Sequence, residues 1–172
     1  AITILKKAAA IDSHDPNIYI ALGGIYRDLQ QWDDAISNYR RAQIIKSDSV
    51  DAAYGLGYVY FQNDMHYEAL EQFRTAIYNQ PLHAMSHMGI ALVYNKLGWP
   101  EEEIDSYKYA IKSDPNLTPA YHNLANIYME RKDYESAAQY YLAAIKLSPD
   151  DSDLYYNLAV SYSSRQLYEE AR

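Results

Sequence analysis

Apolar residues recur along the chain every three or four positions, not every second one. Tyr121, Leu124, Ala125 and Tyr128 form one such stripe, and Ala137, Tyr141 and Ala144 form the next. This spacing puts side chains on one face of a helix. Polar or helix-breaking residues separate the two kinds of stripe, as in Gln30-Gln31, Leu97-Gly98-Trp99-Pro100 and Arg131-Lys132-Asp133. Pro100 fits the first turn of a helix, where its missing N–H costs nothing. Asp33-Asp34 and Glu101-Glu102-Glu103 put negative charge at a helix N-terminus, as the helix dipole favours. Asp114-Pro115 and Ser148-Pro149 end the second stripe, because a residue before proline avoids the helical region. No alternating run marks a strand. The pattern predicts helices in antiparallel pairs joined by short turns.

The pairs are copies of one unit. Leu22-Gly23 and Leu56-Gly57 lie 34 residues apart, each followed by a tyrosine, Tyr26 and Tyr60. The same step leads to Ile90-Ala91 with Tyr94, Leu124-Ala125 with Tyr128, and Leu158-Ala159 with Tyr162. A small column runs Ala1, Ala35, Ala69, Glu103, Ala137, Ala171. A large one runs Leu5, Tyr39, Phe73, Tyr107, Tyr141, and a second small one Ala8, Ala42, Ala76, Ala110, Ala144. Ser13, Ser47, Pro81, Pro115 and Pro149 form the breaker column. These columns divide the chain into a leading half repeat over 1–15, full repeats over 16–49, 50–83, 84–117 and 118–151, and a truncated repeat over 152–172. About ten helices follow, with a C-terminal stub from Tyr168 to Arg172. Such an array reads as a piece of a longer solenoid, with stacking faces at its ends that favour self-association.

These residues resemble the tetratricopeptide repeat family. Its W-x2-L-G-x2-Y…A-x3-F…A…P pattern is matched by Tyr19, Leu22-Gly23, Tyr26, Ala35, Tyr39 and Ala42 and by their echoes along the whole chain. The resemblance implies an all-α, right-handed superhelical solenoid whose first helices line a concave groove. Glu103 departs from its small column, so looser packing or a tilt is expected there. Ala53 and His87 stand where Tyr19, Tyr121 and Tyr155 stand elsewhere, and Ser13 and Ser47 replace proline.

Composition narrows the functions open to the chain. With 49% hydrophobic and 14% aromatic residues, its 172 residues carry too much apolar surface for disorder. Twenty tyrosines against two phenylalanines and two tryptophans suit half-buried positions on thin helical layers. No apolar run approaches the roughly 20 residues of a membrane span. The net charge of −8 argues against a nucleic-acid partner. Cysteine is absent, which excludes disulfides and thiolate chemistry.

No residues converge on catalysis, and no cofactor or metal is expected. Gly55-Leu56-Gly57 lacks the third glycine of a phosphate loop and lies within a helix pattern. His83 and His87 share a helix face but are an incomplete ligand set. Asp150, Asp151 and Asp153 lie where a helix begins and read as capping residues.

Mapped through the resemblance, the groove-facing positions are unusually apolar in mid-chain. Tyr54, Tyr58, Phe61, Met85, Met88 and Leu92 are expected to form one patch, with room for a ligand backbone beside Gly55 and Gly89. For Tyr58 and Leu92, core packing between adjacent pairs is the alternative. Further along, the groove residues are His122, Asn123, Asn126, Met129, Tyr156 and Asn157. A carboxylate-binding clamp of the family's chaperone-binding members would need Lys or Arg here, and none accompanies Asn123 and Asn126. Asn123 and Asn157 match part of the asparagine ladder of the family's protein glycosyltransferases; Ala21, Gly55 and Gly89 do not. The expected function is a non-catalytic scaffold that binds a protein or peptide segment in the groove. The alternatives are a substrate-recruiting arm of a larger enzyme and a self-assembling module.

Overall fold

The computed structural model describes residues 1–170, with side chains through Gln166. Among the described residues there are ten helices and no strand: α1 (Ile2–Ile11), α2 (Pro16–Asp28), α3 (Trp32–Ile45), α4 (Val50–Gln62), α5 (His66–Asn79), α6 (Ala84–Leu97), α7 (Pro100–Ser113), α8 (Thr118–Glu130), α9 (Tyr134–Leu147) and α10 (Ser152–Glu170). Helices α2/α3, α4/α5, α6/α7 and α8/α9 pack as pairs, and each pair stacks on the next. This is the all-α repeat solenoid the pattern predicted. First helices also touch one another, α2 with α4 and α4 with α6, while no two second helices make comparable contact. The first helices therefore lie on the inner side of the stack.

Local chemistry sets the helix ends. Pro16, Pro100 and Pro119 sit in first turns. The side chains of Asp15, Ser49 and Asp133 accept hydrogen bonds from the backbone N–H groups of Asn17, Ala52 and Ser136. Asp114, before Pro115, is extended at φ −138°, as its position dictates. The turn inside each pair depends on one left-handed residue at a fixed register: Gln30 (φ 56°), Asp64 (56°), Gly98 (72°) and Lys132 (61°). Only the glycine adopts this conformation without a steric cost.

The core is three clusters in series along the stack. In the interior repeats the alanines of the small columns are fully buried, with Ala35, Ala42, Ala69, Ala76, Ala110, Ala137 and Ala144 at 0% exposure. The large column fills the gap between each pair and the next. Tyr39 lies against Gly23 of its own pair and Gly55 of the following one; Phe73 lies likewise against Gly57 and Gly89.

Three expectations are corrected. Gly55 and Gly89 do not open space for a ligand backbone: both are buried, and the rings of Tyr39 and Phe73 occupy the room a side chain would take. Glu103 does not loosen its repeat: α6 and α7 pack as closely as the other pairs, and Glu103 as a residue is only 6% exposed. Finally, α10 runs without a break to Glu170, through the register of the expected turn before the stub. Gln166 stands at the register of Gln30, Asp64, Gly98 and Lys132, and a left-handed residue other than glycine there would cost about 1–2 kcal/mol, which the continuous helix avoids. Ala171 and Arg172 of the stub lie outside the described residues.

Candidate functional site

The inner face carries two clefts at equivalent places, two periods apart. The first, about 430 Å³, lies between α2, the α2–α3 turn and α4, and is lined by Arg27, Asp28, Trp32, Tyr54, Tyr58 and Gln62 among others. The second, about 200 Å³, lies between α6, α7 and α8 and is lined by Leu92, Asn95, Glu103, Tyr107, Asn123, Asn126, Ile127 and Glu130. Arg27 and Asn95, Tyr58 and Asn126, and Gln62 and Glu130 are repeat equivalents. One location thus carries an aromatic and cationic lining in one copy and an amide and carboxylate lining in the other.

In the first cleft the Arg27 guanidinium forms an ion pair with Asp28 at 2.7 Å and lies over the Tyr58 ring at 5.5 Å. Tyr58 is 36% exposed. Tyr54 is half-buried, edge-on to His83 at 5.3 Å and tilted against Phe73 at 5.9 Å. Burial pushes the Tyr54 hydroxyl above the usual tyrosine range, with Tyr58 adding and Arg27 opposing.

The remaining apolar candidates divide by depth. Phe61 is half-buried, packs on the first core cluster and lies 5.9 Å from the His66 ring. Met88 and Leu92 are half-buried on the second cluster, and Met129 on the third. Met85 is 37% exposed and Tyr156 is 70% exposed. Tyr54 and Tyr58 share one cleft, Leu92 lines the other with Asn123 and Asn126, and Phe61, Met85 and Met88 line neither.

The polar candidates are joined by hydrogen bonds. Asn123 donates to the Tyr107 hydroxyl at 3.1 Å, and the Tyr141 hydroxyl donates to Asn126 Oδ1. His122 Nε2 lies 3.2 Å from Asn157 Nδ2 and 3.5 Å from Asn126 Nδ2. Tyr107 and Tyr141 belong to the buried large column, so these amides are tied to the core behind them. Burial drives the Tyr107 hydroxyl far above its ordinary range, with Glu103 adding and the Asn123 hydrogen bond opposing.

Glu103 is the unusual member of the second cleft. Its column is otherwise alanine, yet its carboxyl lines the cleft at 6% residue exposure. Burial raises it above the ordinary carboxylate range; the Asn95 hydrogen bond opposes that, Glu130 adds to it and Arg131 opposes it. The Arg131 guanidinium is itself bonded to Glu101 at 2.9 Å.

Two periodic contacts escaped the sequence reading. Arg40 and Arg74 donate to the hydroxyls of Tyr60 and Tyr94, at 2.6 and 3.0 Å, and Lys6 lies 5.8 Å over the Tyr26 ring. The column Lys6, Arg40, Arg74, Lys108 was the available signal. Tyr19, His87 and Tyr121 each bond to the carbonyl six residues earlier, of Ser13, Pro81 and Pro115. His87 therefore does a tyrosine's work with its ring nitrogen, while His83 Nδ1 lies 2.7 Å from Ser86 Oγ. The Asp151 carboxylate accepts from the Asp153 N–H at 3.0 Å, as a capping residue does. Among the described residues no group of three His, Cys, Asp or Glu could gather round a metal ion, and no helix is long and apolar enough to cross a membrane.

Paired helices in 34-residue steps, with alanine and glycine where helices touch and one large ring between pairs, define a helical-repeat solenoid. Tetratricopeptide repeat models match residues 23–64, 50–81, 66–117, 106–139 and 125–165, and the chain belongs to that family. No curated protein matches it. Among solved structures, MamA is 24% identical with a TM-score of 0.77, covering 88% of this chain and 89% of its own. YrrB, described as a TPR protein with an unusual peptide-binding site, is 23% identical at a TM-score of 0.77, covering 100% of this chain and 87% of its own. PilF of Pseudomonas aeruginosa reaches a TM-score of 0.81 at 15% identity, covering 98% and 87%. At these identities the likeness is one of fold.

Proposed function

We propose that the chain is a non-catalytic protein-interaction scaffold that holds a peptide or helical segment along the face lined by its first helices. The observation that carries this reading is the row of side chains that the interior does not use up. Tyr58 and Met85 remain more than a third exposed, beside half-buried Tyr54, Phe61, Met88 and Leu92. YrrB, of like fold, is described as having a peptide-binding site. Each anchor fully buried contributes roughly 1.5–3 kcal/mol. Association costs on the order of 4–15 kcal/mol, so five or six anchors are compatible with micromolar binding, about −8 kcal/mol.

The test is selection from a random displayed-peptide library, followed by Kd measurement for the selected peptides. Tyr58→Glu with Met85→Glu should weaken those peptides at least tenfold while the far-ultraviolet circular dichroism stays helical. These two positions are the fitting ones, because Phe61 and Met88 also pack on the core. Unchanged Kd values in the double variant would remove the groove assignment.

The terminal helices favour a second reading, stacking of copies end on end. Ile4 and Ile11 of α1 are 71% and 89% exposed, and Tyr155, Tyr156 and Tyr162 of α10 are 49%, 70% and 48% exposed. A mass by light scattering that stays monomeric at high concentration would remove it.

A further inference from the structure

The second cleft is built for one side chain. Its volume of about 200 Å³ is below the range of pockets for drug-sized ligands, about 300–1,000 Å³. Leu92 and Ile127 supply apolar wall, and Glu103 and Glu130 supply carboxylates. Buried carboxylates need either a cation or several donors. Glu103 has the Asn95 amide, while the guanidinium next to the cleft, Arg131, is bonded to Glu101. Alanine serves the packing at this register in the other interior repeats, where Ala35, Ala69 and Ala137 are buried with no exposure. A carboxyl here is therefore not required by the fold. It stands with its polar head lining the cleft, where burial outweighs what the Asn95 amide and the more distant Arg131 charge offer it.

We infer that the cleft between α6, α7 and α8 takes the cationic head of an arginine or lysine side chain, with Glu103 and Glu130 as acceptors and Leu92 and Ile127 against its aliphatic stem. The inference deepens the groove reading and rests on it: the arginine or lysine belongs to the bound peptide. The geometry of acceptors suits it, since a carboxylate has more lone pairs than one amide donor can satisfy, and charge-assisted hydrogen bonds are the strong ones. The net charge of −8 draws a basic segment toward the chain. It also explains why the equivalent cleft differs: there Arg27 already pairs with Asp28 and covers Tyr58, so that lining offers aromatic surface rather than free acceptors.

The experiment is a nuclear magnetic resonance titration of the full chain with n-butylguanidinium and n-butylammonium, following the side-chain amides of Asn95, Asn123 and Asn126. Butyrate and 1-butanol serve as controls. Saturable shifts with either cation in the millimolar range, absent with both controls, are expected. Glu103→Gln should weaken the cation about tenfold, the scale of one charge-assisted hydrogen bond. Glu130→Gln, on the exposed rim, should weaken it less and serves if the buried variant does not fold. Equal shifts with 1-butanol, no saturable shift with either cation, or unchanged affinity in the variants would overturn the inference. The library selection separates it from the groove reading. Selected peptides without enrichment in arginine or lysine sink this inference alone. A chain that binds the cations yet selects no peptide leaves the cleft standing and removes the groove.

Discussion

The Phe73 ring occupies the space where a side chain at residue 89 would begin: a Cβ on Gly89 would come within 2.7 Å of Phe73 Cζ. A Cβ on Gly57, in the same helix pair as Phe73, would likewise come within 2.8 Å of Phe73 Cδ1. One aromatic residue thus holds two successive first helices at a distance that only glycine permits. Ordinarily Gly→Ala inside a helix gains about 0.5–1 kcal/mol. Gly89→Ala should instead lose about 1–3 kcal/mol, the cost of overpacking a filled interior. Gly24→Ala is the control, because its Cβ would meet only the Tyr39 hydroxyl at 3.6 Å; it should be neutral or stabilising. Urea denaturation of the two variants should give opposite signs.

This contact shows what was legible in the sequence. The 34-residue columns gave helix number, pairing and the small-against-large logic, because each is a local steric demand repeated in register. They did not say which side of a glycine its neighbour occupies. Gly55 and Gly89 read as openings toward a ligand because the ring that fills them comes from the preceding pair, outside their own repeat. Tyr58 and Met85 stay more than a third exposed, while Phe61 and Met88, of the same apolar character, are drawn partly into the core. That difference depends on how far each helix is rotated, which side-chain type does not encode. The second cleft was half legible: Asn123, Asn126 and Leu92 were marked as groove residues, but Glu103 looked like a packing defect. A charge in an alanine column signals either a defect or a site, and only its depth and its orientation toward the cleft distinguish them.

The turns inside the pairs make a prediction about strain. Gln30, Asp64 and Lys132 hold φ near 60° without being glycine, whereas Gly98 does the same work at 72°. A left-handed residue with a side chain carries a steric cost of roughly 1–2 kcal/mol. Lys132→Gly should relieve part of it, offset by the added freedom of the unfolded chain, and raise stability by about 0.5–1 kcal/mol. Gly98→Ala should lower it by about 1 kcal/mol. Both are read as shifts in the urea midpoint at constant slope; a loss of stability in Lys132→Gly would mean that the turn is not strained.

Glu103 predicts a pH dependence with a definite sign. Its carboxyl is raised in the folded chain, chiefly by burial. The native state therefore holds this proton more tightly than the unfolded state does. The stability it contributes is fully present below the unfolded carboxylate value, about 4.3, and is lost as pH rises through the folded one. Glu103→Gln stays neutral throughout. The stability of the variant minus that of the parent should therefore increase from pH 4 upward and level off above the folded pKa. A difference independent of pH across that window would show that the carboxyl is not perturbed.

The last prediction concerns how one repeat holds the next. The Arg40 guanidinium on α3 donates to the Tyr60 hydroxyl on α4 at 2.6 Å and lies 5.9 Å from the ring centre, while Tyr60 is 3% exposed. A buried hydroxyl with a charged partner is a stronger link than an exposed ion pair, because the partner also satisfies a group shut away from water. Tyr60→Phe should cost about 1–2 kcal/mol, and a cycle with Arg40→Met should show a coupling of about 1 kcal/mol. Tyr128, at the same register, stacks on Tyr140 with centroids 5.5 Å apart. Its contact is made by the ring face, so Tyr128→Phe should cost less than half as much. Equal losses at residues 60 and 128 would show that the hydroxyl bond contributes nothing beyond the packing of the ring.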